Sequence, residues 1–91
     1  MVVKPYTDIQ SNKGFIRTFK PTINESELVW HRDRKNRVIN VLEGKGWQLQ
    51  FDNELPFELT RNNPIFIPMN VYHRVIKGTG ELKIKVTEIW N

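Results

Sequence analysis

Cysteine is absent from the 91 residues, which excludes a disulfide framework and every thiolate metal site, and leaves His, Asp and Glu as possible ligands. Long apolar runs are missing as well. Nothing approaches the roughly 18 residues of a membrane span, and the opening stretch, Met1 to Gln10, lacks the apolar core of a signal peptide. The expectation is a protein that engages no membrane and works in the cytoplasm. Helical periodicity is equally scarce: apolar residues nowhere recur at i, i+3, i+4 and i+7 over several turns. Histidine occurs only twice, at His31 and His73, so any imidazole chemistry has to use these two.

What the chain does contain is a series of short segments rich in Val, Ile, Phe and Trp, each closed by Gly, Pro, Asn or Asp. Strands are expected at Gly14–Phe19, Glu27–Asp33, Arg37–Leu42, Trp47–Phe51, Phe57–Leu59, Ile65–Ile67, His73–Lys77 and Glu81–Trp90. This number of short strands points to an all-β sandwich or barrel. Gly44 and Gly46 bracket Lys45 between two strands, and Asp52-Asn53 and Asn62-Asn63 are turn formers that tolerate the left-handed region. Pro64 and Pro68 confine the strand between them to a short one. The chain is long enough for a single domain, with residues 1–13 as an N-terminal arm and 14–91 as the folded unit. A core this small gains from a metal ion or a second copy, so dimerisation is expected.

The net charge is +4, from 14 basic and 10 acidic side chains. Arg32, Arg34, Lys35 and Arg37 form a local cluster that would attract phosphates or a small anion, or only solvate a strand and turn. Aromatic residues are not interleaved with it, so nucleic acid ranks last among the partners.

A period of two places His31 and Asp33 on one face of their expected strand. His73 opens a later strand just after Pro68-Met69-Asn70. Two histidines and one carboxylate make a facial triad, which suits Fe(II) foremost and Mn(II), Co(II), Ni(II) or Zn(II) less selectively, with positions left open for water or a ligand. Taken alone, a His-x-Asp pair is a weak signal, and hydrogen-bonded or surface histidines are the alternative.

The spacing around these residues strengthens it. The stretch from Glu25 to Lys77 resembles the cupin superfamily, whose first motif runs Gly, five residues, His-x-His, a short gap, Glu, six residues, Gly. Glu25 stands at the first Gly, His31 at the first His, Asp33 at the second, Arg37 at the Glu and Gly44 at the closing Gly. The second motif, Gly, five residues, Pro-x-Gly, two residues, His, three residues, Asn, is matched in register by Asn62, Pro68-Met69-Asn70, His73 and Lys77. Trp30-His31-Arg32-Asp33, Gly46-Trp47-Gln48 and Tyr72-His73-Arg74-Val75-Ile76-Lys77-Gly78 are similar to short cupin proteins encoded by tailed phages, which would extend the expected location to a host cytoplasm. The resemblance implies a cupin-type jelly-roll β-barrel, a double-stranded β-helix, holding a divalent metal at His31, Asp33 and His73.

Asp33 in place of the second His resembles the His-x-Asp of Fe(II)- and 2-oxoglutarate-dependent oxygenases. Arg37 replaces the usual fourth ligand and either points inward to pair with Asp33 or a bound anion, or turns to solvent. Arg37, Arg74 and Lys85 are each candidates for holding an acidic ligand. The family pattern turns Gln48 and Gln50 into the barrel as pocket lining, and Trp47, Leu49 and Phe51 outward. These three, with Trp30, are then expected to form a homodimer interface. Alternation by itself also admits the reverse, with the three apolar residues as core. The function these readings support is a metal-binding small cupin open to an anionic small molecule, with oxygenase-like activity as one extension and a non-catalytic structural or partner-binding module as the alternative.

Overall fold

Leu82, Ile84 and Val86 alternate with Glu81, Lys83 and Lys85, and the period of two turns the three apolar side chains to one buried face. They belong to β8 (Thr79–Ile89), the centre of the larger of two sheets in the computed structural model, which describes residues 4–89. The other strands are β1 (Tyr6–Ser11), β2 (Gly14–Phe19), β3 (Asn36–Lys45), β4 (Gln48–Phe51), β5 (Phe57–Glu58), β6 (Ile65–Ile67) and β7 (His73–Ile76). One sheet has the order β1-β2-β8-β3-β6 and the other β5-β4-β7, and all pairings are antiparallel. No described helix is long and apolar enough to cross a membrane.

Register decides which side chains meet in the larger sheet. Phe15 lies opposite Val86, which in turn lies opposite Ile39, and Arg17 opposite Ile84, which lies opposite Val41. Arg37 is thereby placed on the same face, across from Glu88. In the smaller sheet Leu49 pairs with Val75 and Phe51 with His73. The two faces pack together, and Trp47, Leu49 and Leu59 join Phe19, Ile39 and Val86 in one buried cluster.

Several expectations are corrected here. Trp47 and Leu49 are buried at 0% and 3% exposure, and Phe51 packs half-buried against the same core. The chain's own larger sheet covers this apolar face, so Trp47 and Leu49 cannot form the expected homodimer interface, although Trp30 remains exposed. Gln48 and Gln50 take the opposite face: Gln50 accepts from Arg74 Nε at 2.9 Å and donates to the Glu54 carbonyl at 2.9 Å. Burying three large apolar side chains outweighs burying two amides, and a strand's alternation allows only one of these outcomes.

Residues 6–11, expected within an arm, form β1, an edge strand paired with β2 over its whole length. An Asp8–Arg17 pair with contacts at 2.8 and 3.0 Å fastens it. Glu27–Asp33 is not a continuous strand. Its start is a 3₁₀ turn, Glu25–Glu27, closed by a capping box in which Asn24 and Glu27 serve each other's backbone ends. Trp90, expected to end the last strand, lies outside the described residues. The two sheets share no ladder and do not close into a barrel. β5 and β6 are too short to bridge them, and Pro64 and Pro68 limit the hydrogen bonding at both ends of β6.

Two backbone positions depend on residue type. Gly78 has no room for a Cβ, which would run into the backbone of Lys45, Gly46 and Trp47. Asn70 adopts φ 63°, a left-handed conformation that asparagine tolerates better than most residues, in the turn leading to His73.

Candidate metal centre

His31 and His73 exchange both backbone hydrogen bonds, His31 N to His73 O at 3.0 Å and His73 N to His31 O at 2.9 Å, forming an isolated bridge. This pairing brings two residues far apart in sequence side by side, with ring centroids 4.3 Å apart. Asp33 follows two residues later, and its carbonyl accepts from Asn70 N at 2.7 Å. Met69 N donates to Asn36 Oδ1 at 2.8 Å, so the turn before β7 is tied to the segment that carries Asp33. The three ligand atoms lie within 4.8 Å of one another.

Each imidazole is oriented by a carbonyl two residues earlier: His31 Nδ1 lies 3.1 Å from Val29 O, and His73 Nδ1 lies 2.9 Å from Val71 O. A carbonyl only accepts, so each Nδ1 carries a proton and each Nε2 of a neutral ring presents a lone pair. His73 Nε2 faces Asp33 Oδ2 at 3.3 Å, and Oδ2 is buried without a hydrogen bond. Two acceptors at that distance need a cation between them, either a proton on the imidazole or a metal ion. Asp33 Oδ1 is taken by Arg37 Nη1 at 3.1 Å, while Arg37 Nη2 reaches Glu88 at 3.2 Å. Arg37 thus holds Asp33 by one oxygen and leaves the other for an ion. Ligand atoms each about 2.1 Å from one ion lie at most about 4.2 Å apart, so small side-chain rotations suffice for the trio to close on a metal.

Burial lowers the pKa of His31 from its usual 6.5, against the hydrogen bond to Val29. Burial alone would raise Asp33, but the close approach of the His73 imidazole and the charge of Arg37 outweigh it and hold the carboxyl below 3.8. Both shifts act in the same direction on stability. The unfolded chain binds more protons at His31 just below pH 6.5 and at Asp33 below pH 3.8, so stability is full above each value and is lost as pH falls through the folded one. Thermal melts of metal-free protein should therefore show a falling Tm below about pH 6.5, and His31→Gln should remove the upper part of that fall.

A cavity of about 310 Å³ lies beside the cluster. Its aliphatic walls include Ile39, Ile84 and Val86 from the larger sheet and Leu49 and Val75 from the smaller. His31, Asp33, His73 and Arg37 all face it, whereas Gln48 and Gln50 are not part of its lining. Of the three basic candidates, Arg37 is the one at the cavity. Arg74 stacks over Trp30 at 4.7 Å and bonds Gln50, and Lys85 donates to Ser11 and Asn12. The basic cluster is dispersed: Arg32 lies over Tyr72 while Arg37 turns inward.

Glu88 and Arg17 are site neighbours that sequence reasoning missed. Glu88 meets Arg37 only through the β3–β8 register, and nothing in its local sequence marks it. Arg17 also lines the cavity, but its guanidinium is occupied by Asp8.

No family model and no curated protein matches the chain. Among solved structures, the fold is similar to the crystal structure of protein NMB1881 from Neisseria meningitidis, with a TM-score of 0.62 and 16% identity over 93% of this chain and 82% of that one. At that identity the likeness concerns the fold alone. What fold and site together define is an all-β protein of two antiparallel sheets with a clustered His-Asp-His trio beside an internal cavity.

Proposed function

We propose that the chain is a small metal-binding cupin of jelly-roll type, in which His31 Nε2, Asp33 Oδ2 and His73 Nε2 hold one divalent ion whose remaining positions face the cavity. The observation that carries this reading is the buried acceptor pair, His73 Nε2 against Asp33 Oδ2, in a trio whose other imidazole also presents Nε2. Fe(II) suits two imidazoles and a carboxylate with open positions, and Mn(II), Co(II), Ni(II) and Zn(II) compete for the same donors. Such an ion supplies Lewis acidity and a site for a bidentate acid; the protein's own part is to fix three donors and a dry, shaped space. The largely apolar cavity beside the trio favours a small-molecule ligand over a purely structural role.

Metal analysis of the purified chain, followed by a crystal structure with an anomalous scan, tests this. One equivalent of metal with anomalous density among the three side chains is the expected result. Absence of metal, together with no thermal shift on adding Fe(II), Mn(II), Ni(II) or Zn(II), would end the reading.

Glu88 supports the same site from outside. With Glu88 in place, the Arg37 charge is shared between two carboxylates. Glu88→Ala directs it wholly at Asp33, where it competes with a metal ion. Metal affinity should fall about ten- to hundredfold, the usual cost of losing an outer-shell partner, in a titration with Zn(II) monitored by calorimetry.

A further inference from the structure

We propose that the cavity takes a monocarboxylate with a short apolar tail, its carboxylate at the ligand trio beside Arg37 and its tail along the aliphatic walls. This inference rests on the metal reading and names the ligand class of that site.

Charge comes first. The ionised side chains at the polar end are Asp33, Glu88 and Arg37, with side-chain exposures of 10%, 24% and 17%. Together with two neutral imidazoles they sum to one negative charge, and a divalent ion brings the total to one positive charge. Lys35 approaches Glu88 at 3.7 Å and only adds to the positive side. A positive excess within low-dielectric walls is costly unless an anion offsets it. A single carboxylate does so, at the end of the cavity that the Arg37 guanidinium also lines.

The rest of the cavity sets the tail. Away from the trio most of the wall is apolar, with Ile39, Leu49, Leu59, Ile67, Val75 and Ile84 offering no hydrogen bond, and its polar groups are Tyr6, Arg17 and Glu27. Arg17 is already committed to Asp8, and Glu27, exposed at the cavity's edge, carries negative charge. A second carboxylate or a row of hydroxyls laid along the aliphatic walls would be buried without partners, which disfavours dicarboxylates and sugars. At about 310 Å³ the space lies at the small end of ligand sites, which run from roughly 300 to 1,000 Å³.

Calorimetric titration of the whole, zinc-loaded chain with hexanoate, butyrate, hexanamide and glutarate tests the proposal. Hexanoate should bind one to one and about fifteenfold tighter than butyrate, the worth of two further buried methylenes. Hexanamide should bind at least about tenfold more weakly than hexanoate. Ile84→Phe, which fills the tail space away from the metal, should weaken hexanoate at least about tenfold with zinc affinity unchanged. Glutarate binding tighter than hexanoate, affinity indifferent to chain length, or no hexanoate binding to zinc-loaded protein overturns the proposal. If zinc itself does not bind, the metal reading falls. The carboxylate proposal, whose charge balance needs the ion, falls with it, whereas zinc binding without hexanoate binding ends the carboxylate proposal alone.

Discussion

Substituting His73 with alanine should abolish stoichiometric metal binding, and with it the rise in Tm that a divalent ion gives the native chain. An ion present at about a hundred times its Kd stabilises a protein by about 2.7 kcal/mol. For a domain of this size that corresponds to roughly 10–20 °C. His73 is 3% exposed, and its Nε2 lies 3.3 Å from the buried Asp33 Oδ2. Removing it leaves two ligands, one of them a carboxylate with no compensating partner at that oxygen. Asp33→Asn should give the same loss of metal response while nearly preserving shape, which separates lost ligation from lost packing. Thermal melts with and without Co(II) or Zn(II) check both variants, and a shift that persisted in either would place the ion elsewhere.

Trp47→Ala should be the most damaging single substitution to the fold, costing about 3–5 kcal/mol against a total stability of roughly 5–15 kcal/mol for a domain. Trp47 is fully buried and packs against Phe19 with ring centroids 5.9 Å apart. Its backbone also abuts Gly78, where no bulk can be added to compensate. Trp47→Phe should cost far less. It keeps most of the apolar volume and removes an indole N–H that is buried without a hydrogen bond. Urea denaturation of the two variants should separate their midpoints widely, and equal midpoints would show that the indole's volume is not what stabilises this corner.

β8 was legible as a strand, expected over Glu81–Trp90, and the alternation of Leu82, Ile84 and Val86 with charged residues is why it forms a half-buried one. The meeting of His31, Asp33 and His73 was legible too, although for a partly mistaken reason. His31 and Asp33 were expected to share a regular strand, whereas an isolated bridge and a following turn bring them to the cavity. Two histidines and one suitably spaced acid left few other combinations. The Gln48–Phe51 segment was read with its faces reversed, because the family pattern was preferred to the simpler rule that the larger apolar set goes inside. β1 carried almost no signal: Thr7, Asp8 and Gln10 are exposed on an edge strand, and Ile9, the apolar residue among them, points out to solvent at 70% exposure. Glu88 could not be found in advance, since its role depends on which residue of β3 it faces. Local pattern says nothing about register between strands so far apart in the chain.

The His31–His73 bridge has a dynamic consequence. Together with the Asn70–Asp33 bond, these two amide hydrogen bonds tie the segment before β3 to the turn and strand of β7, and the same two residues supply the imidazoles. Departure of an ion and opening of this seam are therefore one coupled event. Hydrogen–deuterium exchange at the His31 and His73 amides should slow when metal is added and quicken on chelation, while the amides of β8 keep a single rate throughout. An ion held by the trio would, in kinetic terms, be a rivet in the wall of its own cavity, and its residence time would set how often that wall swings open.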